Sequence, residues 1–128
     1  MSGLALERTG VAVLVHGASR AAWAALGLLA TVTCCVVASP WLLLAWLVPD
    51  LGVLAGGMRL VDERGQLTRR AALGYNATHS LVGPALLGAV ALLLGSPFLG
   101  GLLALWVSHI GIDRALGYTL KTVPVADA

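Results

Sequence analysis

Four apolar stretches, each about as long as a membrane-crossing helix, constrain the fold of this chain more than any other feature. They cover residues 21–38, 41–60, 71–94 and 98–118. The breaks between them are Ser39 with Pro40, the charged segment RLVDERGQLTRR, and the tripeptide GSP at 95–97. Roughly 20 residues at the helical rise cross a hydrocarbon core. The pattern therefore predicts an all-α polytopic membrane protein built as a four-helix transmembrane bundle.

The composition agrees with a protein that is embedded in lipid. Hydrophobic residues make up 59% of the chain and charged residues 11%, which is far from the usual balance of soluble domains. A net charge of +2 without a basic patch interleaved with aromatics argues against nucleic acid as a partner. The adjacent cysteines, Cys34 and Cys35, lie in an apolar run and are interpreted as buried apolar residues. We expect the lipid bilayer itself to be the main partner.

The distribution of positive charge predicts the orientation of the helices. The two short links carry no charge, and all basic residues lie on the other side of the predicted bundle: Arg8, Arg20, Arg59, Arg64, Arg69, Arg70, Arg114 and Lys121. The positive-inside rule then places both termini in the cytoplasm. We expect a cytoplasmic or interfacial segment at 1–20, a transmembrane domain at 21–121 and a tail at 122–128. Residues 21–38 also resemble a signal peptide, but their length favours a retained helix.

Polar side chains inside the apolar stretches fall at matching depths. Asp50 lies eight residues before Met58, His79 lies eight after Ala71, and His109 lies nine before Tyr118. Each is then about 12 to 14 Å from the cytoplasmic end of its helix. Asn76 precedes His79 by three residues and Asp113 follows His109 by four, so each shares a helical face with its neighbour. The five form a predicted polar pocket open to the cytoplasm.

The chemistry of these groups has two interpretations. Asp50, His79, His109 and Asp113 offer two imidazoles and two carboxylates, a ligand set that suits zinc, iron or manganese better than copper(I). Without a metal, the same groups could act as an acid and base pair, because burial disfavours their charged forms. A third reading is structural, with the polar groups joining helices by hydrogen bonds. Sequence does not separate these readings.

Residues around the pocket receive supporting roles. Asn76 is expected to orient a substrate or a water molecule. Arg114, near the cytoplasmic mouth, is expected to bind an anionic head group or to keep Asp113 ionised. Tyr75 and Tyr118 lie at the same mouth, as walls of the entrance or as interfacial belt residues.

Two glycine patterns predict local backbone features. Gly52 and Gly56 form a GxxxG pattern, whose usual meaning in an apolar helix is close packing. Gly83 with Pro84 predicts a kink just beyond His79, which would free backbone carbonyls beside the pocket.

These residues favour a membrane-embedded enzyme that acts on a lipophilic small molecule. Hydrolysis by a metal-activated water is one candidate reaction, and acid-catalysed isomerisation or cyclisation is the other. The alternatives are a small proton- or cation-coupled carrier, which would be a homo-oligomer, and a structural membrane subunit. A conduit needs polar groups on the far side, whereas beyond Ser80 the chain reads LVGPALLGAVALLL. The structural reading predicts that Asp50→Asn is tolerated.

Three motifs also resemble a known family. VPDLGVLAG, YNATHSLVGP and WVSHIGIDRALGYTLK are similar to segments of domain-of-unknown-function family 4260, small bacterial membrane proteins, and LERTG is a fainter match. The resemblance covers roughly residues 40–121. Its Pro-Asp, Asn-x-x-His and His-Ile-Gly-x-Asp-Arg motifs map onto Pro49 and Asp50, Asn76 and His79, and His109, Asp113 and Arg114.

The resemblance implies a membrane protein of unassigned activity in the bacterial inner membrane. This chain departs from the family pattern at Tyr118-Thr119-Leu120-Lys121, where the family has Tyr-Gly-Leu-Lys, and in a longer linker before Pro49. Those departures affect the first helix rather than the pocket. The resemblance therefore indicates the same polar residues as the depth count but gives no reaction.

Overall fold

The protein is all-helical over the residues that the structure describes. The computed structural model describes the backbone of residues 3–125 and the side chains of residues 17–125; residues 1–2 and 126–128, the extremities of the predicted N-terminal segment and tail, lie outside this range. Four α-helices occur, which we label α1 (Gly3–Val37), α2 (Arg69–His79), α3 (Val82–Leu94) and α4 (Pro97–Leu116). Two 3₁₀ segments, Pro40–Ala45 and Val48–Gly56, connect α1 to the loop before α2.

Helices α1 and α4 form the central antiparallel pair. Near the start of the described part of α1, Arg20 Nε donates a hydrogen bond of 2.6 Å to the carbonyl of Ala115, near the end of α4. Further along α1, the Thr31 hydroxyl lies 2.6 Å from that of Ser108, one turn or more earlier in α4. Later residues of α1 thus contact earlier residues of α4, so the two helices are antiparallel. The pair supplies the frame on which the remaining elements pack.

Small residues allow these two helices to touch. A Cβ atom on Gly111 would lie 2.8 Å from the Cα of Gly27, closer than packed atoms approach. Below this crossing, Cys34 is fully buried and packs with Ala104 in the hydrophobic core. Cys34 is therefore the buried apolar residue that the sequence predicts, whereas Cys35, predicted to be buried as well, is only partly buried.

The second predicted helix, residues 41–60, is not an α-helix. It forms the two 3₁₀ segments instead, and a proline occupies one of the first two positions of each. Pro49 lacks an amide hydrogen and its ring clashes with the carbonyl four residues earlier, so an α-helix is interrupted there. Gly52 and Gly56 lower helix propensity further.

The third predicted helix, residues 71–94, is broken beside His79. Helix α2 ends at His79, Ser80 is extended at φ −87° and ψ 156°, and α3 departs at 43° to α2. The carbonyl of Ser80 is the one that an unbroken helix would bring against the ring of Pro84. The kink that Gly83 and Pro84 predict is thus confirmed, and it is a complete break.

A four-helix transmembrane bundle is therefore not what the described residues form. Two helical stretches are long and apolar enough to cross a membrane, Gly17–Val37 with mean hydropathy 1.7 and Pro97–Leu116 with 1.2. The bent α2–α3 pair adds a third if it acts as one span. Many large apolar side chains face outward, including Leu44, Leu92 and Leu93 at more than four-fifths exposure. Association with a membrane accounts for these features.

Candidate functional site

Four polar side chains from three separate parts of the chain converge on one point. Asp50 comes from the second 3₁₀ segment, His79 from the last residue of α2, and His109 with Asp113 from successive turns of α4. One ligand-type atom from each lies within 4.8 Å of the others. Both histidines are buried, at 2% and 1% exposure, and the carboxylates lie toward the outside.

The distances match those of a metal coordination shell. The Nε2 atoms of His79 and His109 are 3.1 Å apart. His79 Nε2 lies 3.2 Å from Asp50 Oδ1 and 3.4 Å from Asp113 Oδ2. The corresponding distances from His109 Nε2 are 3.4 and 3.6 Å. Ligands about 2.0 to 2.1 Å from a tetrahedral ion lie roughly 3.3 to 3.4 Å from one another. Each Nε2 atom therefore lies at about this distance from the other three atoms, and all four lie within 4.8 Å of one another, a grouping that could hold one ion.

His79 is held in a defined orientation. Its Nδ1 lies 2.9 Å from the carbonyl oxygen of Tyr75, which can only accept, so Nδ1 carries the proton. In the form of the ring that carries one proton, Nε2 then directs its lone pair at the cluster. The Tyr75 ring stacks on the imidazole with centroids 3.8 Å apart. A backbone carbonyl on the outer nitrogen is the usual support for a histidine that ligates a metal.

His109 has a different environment. Its ring lies 4.5 Å, centroid to centroid, from that of Trp46, whose indole nitrogen donates to the Ser108 hydroxyl at 3.1 Å. The Nδ1 atom of His109 is buried and has no hydrogen-bond partner among the side chains and backbone that the structure describes. Packing against Trp46 and the polar contacts of Nε2 in the cluster therefore position this ring, without a hydrogen bond to Nδ1.

The break between α2 and α3 serves the site directly. In a continuous helix the carbonyls of Thr78 and His79 would accept bonds from amides four residues later. Here the Trp106 indole nitrogen donates to the Thr78 carbonyl at 2.6 Å, and the Arg114 guanidinium donates to the His79 carbonyl at 3.2 Å. Two side chains of α4 thus tie the end of α2 to the helix that carries His109.

A close backbone approach brings Asp50 to His79. Glycine occupies both sides of the contact between the second 3₁₀ segment and α2, at Gly52 and Gly74. A Cβ on Gly74 would meet the Gly52 carbonyl oxygen and would lie 2.6 Å from the Cβ of Ala55. Gly56 packs as tightly, with its added Cβ 2.8 Å from that of Ala71. The close packing that GxxxG predicts is confirmed.

Asn76 is the one of the five predicted pocket residues that does not join the cluster. Its side chain pairs with the backbone of Lys121: the amide donates to the Lys121 carbonyl at 2.8 Å and accepts from its amide at 2.7 Å. The Lys121 ammonium lies over the rings of Tyr75 and Tyr118, at 5.1 and 5.7 Å from their centroids. Asn76 therefore fixes the segment after α4 beside the two tyrosines.

Arg114 is also engaged with backbone. Besides the His79 carbonyl, its guanidinium donates to the carbonyl of Tyr118 at 3.2 Å. It thereby joins the end of α4 to the end of α2. Within the side chains that the structure describes, the ion-pair partners of Asp50 and Asp113 are the two histidines.

Substitution of Asn76 is expected to release the segment after α4. Asn76→Ala removes both hydrogen bonds and should lower the free energy of local opening at residues 118–125 by about 1 to 3 kcal/mol. Asn76→Asp keeps an acceptor and loses the donor, so its effect on local opening should lie between those of the wild type and Asn76→Ala. Hydrogen exchange of the Lys121 amide measures the effect. Unchanged protection of that amide in Asn76→Ala would contradict this role.

Three contributors were not assigned to the site by sequence reasoning. Trp46 and Trp106 were given no role at the site from the sequence, and Lys121 entered only as one of the basic residues on the predicted cytoplasmic side. Their contacts join residues far apart in sequence, so no local pattern carries them. For Trp106 a signal did exist, because it lies three residues before His109 on the same helical face.

A family comparison agrees with the earlier resemblance. The profile described as Domain of unknown function (DUF4260) matches residues 13–125, most of the chain. The chain belongs to the DUF4260 family. The DUF4260 match is wider than the motif resemblance over 40–121 and contains all four cluster residues. Comparison with curated proteins and with solved structures finds no match.

Proposed function

We propose that this DUF4260 chain is a membrane-embedded, metal-dependent enzyme that hydrolyses a lipophilic substrate. The observation that carries the proposal is the convergence of two Nε2 atoms and two carboxylate oxygens, with each Nε2 lying 3.1 to 3.6 Å from the other three atoms. A cation bound among them would hold four such acceptors together. The proposed ligands are Asp50, His79, His109 and Asp113.

Charge balance supports a divalent ion at this position. Two carboxylates lie beside two histidines that are almost fully buried. An uncompensated carboxylate at a membrane helix centre costs roughly 2.5 to 3.5 kcal/mol on the translocon scale. Arg114 does not offset this cost, since its donors bind backbone carbonyls. Zinc, iron(II) or manganese would neutralise the site and suits nitrogen and oxygen ligands.

The exposure of each side chain determines its proposed role in hydrolysis. A bound ion would supply Lewis acidity and favour ionisation of a water molecule. The Asp50 side chain is 47% exposed and that of Asp113 is 17% exposed, so Asp50 is the group that reaches substrate and water. An attacking water needs an open ligand position, which Asp50, as the more exposed ligand, would yield. Asp50 is then proposed to take the proton from that water and to deliver it to the leaving group. His79 and His109 keep their positions throughout.

The orientation of the protein follows from the charge pattern. We propose that the cluster opens to the cytoplasmic side of the inner membrane, where Arg114, Tyr118 and Lys121 lie at its mouth. A lipophilic substrate would enter from the bilayer, and its water-soluble product would leave at that mouth.

A second candidate function rests on the buried Nδ1 of His109. Because that atom has no described partner, the ring proton can reside on Nε2, shared with His79 Nε2 at 3.1 Å. The pair would then act as an acid and base without metal, which suits isomerisation or cyclisation of a lipophilic substrate.

Hydrolysis is tested by isotope incorporation. The protein in detergent is loaded with zinc, iron(II) or manganese and incubated with a bacterial lipid extract in ¹⁸O-labelled water. We expect products that carry ¹⁸O with one ion, and none after chelation or with Asp50→Ala. Products that form without metal and differ from substrate by rearrangement alone would replace the first proposal by the second. If no ion supports ¹⁸O incorporation, hydrolysis is wrong.

A further inference from the structure

An apolar cavity of about 420 Å³ lies against the cluster. Its volume is within the usual range of sites for small organic ligands. Both 3₁₀ segments, α2, α3 and α4 contribute to it. The lining includes Ala45, Val48, Leu87, Leu102, Leu105 and Trp106.

The cavity adjoins the cluster through sequence neighbours of the cluster residues, although none of the four cluster residues lines it. Pro49 and Thr78 also line it, and each directly precedes a cluster residue, Asp50 and His79. On α4, the lining residues Leu102 and Trp106 precede His109 by seven and three positions, which is one helical face. Leu102 is then about 10 Å from His109 along the helix axis. The cavity therefore extends from the cluster away from the basic end of α4.

The cavity is lined by apolar groups rather than by groups that are free to form hydrogen bonds. Its two polar side-chain groups are already used: the Trp106 indole nitrogen donates to the Thr78 carbonyl, and the Thr78 hydroxyl donates to the carbonyls of Gly74 and Tyr75. A polar ligand would lose its water contacts here without replacement. A hydrocarbon chain has no hydrogen bonds to water to lose, and its binding here removes apolar surface from water.

We infer that this cavity binds the hydrocarbon chain of a single-chain amphiphile, an acyl or isoprenoid chain, with the polar end at the cluster. The inference deepens the proposed function, on which it rests for the identity of this amphiphile as the substrate. Cluster and cavity occupy consecutive turns of α4, so the reacting bond lies where the polar head joins the chain. The basic mouth with Arg114 and Lys121 lies beyond the cluster, at the head-group end.

Photolabelling tests the cavity independently of any reaction. The protein in detergent is irradiated with a 16-carbon fatty acid that carries a diazirine near its methyl end. Labelled residues are mapped by mass spectrometry with and without excess unmodified fatty acid. We expect competable label at Leu102, Leu105 or Trp106, and loss of that label in the filling variant Leu102→Trp. Leu92→Trp is the matched control, since Leu92 is exposed on α3 outside the lining and should leave labelling unchanged.

A second filling variant and labelling of the metal-free protein distinguish the possible outcomes. Ala45→Leu narrows the cavity from the opposite wall and should also remove competable label, so misfolding of Leu102→Trp alone does not decide the result. Labelling of chelated protein separates this inference from the metal proposal. Cavity label that persists while no ion supports hydrolysis would leave the inference standing and the proposed reaction wrong. Label that cannot be competed, or that both filling variants leave intact, would overturn it.

Discussion

Replacing either buried histidine, by His79→Ala or His109→Ala, is expected to weaken zinc binding by on the order of 10²- to 10³-fold. Structural zinc sites with four protein ligands bind with apparent free energies of about 10 to 16 kcal/mol, or roughly 2.5 to 4 kcal/mol for each ligand. Every 1.4 kcal/mol is about tenfold in affinity. Competition against a chromophoric chelator, with the protein in detergent, measures the change.

The two carboxylates should differ in effect. Asp113 is shielded, whereas nearly half of the Asp50 side chain is exposed, so water replaces Asp50 as a ligand more readily. We expect Asp113→Asn to weaken binding more than Asp50→Asn. Ser108→Ala is the matched control, because Ser108 is buried on α4 beside His109 but bonds to Thr31 and Trp46. Wild-type affinity in all four cluster variants would sink the ligand assignment.

The tolerance of Asp50→Asn also separates function from structure. A purely structural cluster retains its hydrogen bonds when an amide replaces this half-exposed carboxylate, so stability would stay unchanged and there would be no zinc affinity to lose. A metal site loses an anionic ligand by the same change. Stability that is preserved while zinc affinity falls is the result that our proposal requires.

Part of the site was predictable because membrane depth can be counted along a sequence. Charged and imidazole side chains are costly in an apolar run, so each one that occurs requires a partner at its own depth. That reasoning named Asp50, His79, His109 and Asp113, and the structure brings these four together. The count succeeded for Asp50 even though its segment is 3₁₀ rather than α-helical, because the glycine contact with α2 fixes its position.

Other features were not predictable because they depend on long-range contacts. Hydropathy alone cannot distinguish an α-helix from a 3₁₀ segment, which is why residues 41–60 were predicted as one span. The role of Asn76 depends on its hydrogen bonds to the backbone of Lys121, 45 residues away. A local sequence pattern does not predict such a long-range pairing. The kink at Pro84 was predictable from the sequence. The two side chains that bind the freed carbonyls were not, and these are Trp106 and Arg114.

A single methyl group at Gly74 should separate Asp50 from His79. In Gly74→Ala the new Cβ meets the Gly52 carbonyl and the Ala55 side chain, and backbone cannot move aside as a flexible side chain can. Overpacking typically costs about 1 to 3 kcal/mol, and contact with backbone places this change near the upper end. Thermal unfolding in detergent should show the loss of stability. Zinc affinity measured well below the unfolding temperature should fall as well.

Two further glycine variants show whether the effect belongs to this contact. Gly17→Ala, where an added Cβ has nothing within 4 Å, should leave zinc affinity unchanged and raise stability by up to about 1 kcal/mol through helix propensity. Gly56→Ala crowds Ala71 in the same interface but lies six residues from Asp50, so it should destabilise the protein with less effect on affinity. If Gly74→Ala bound zinc as tightly as Gly17→Ala, the close approach of the 3₁₀ segment to α2 would not be what positions Asp50. The ligand would then reach the cluster through the freedom of its own exposed side chain.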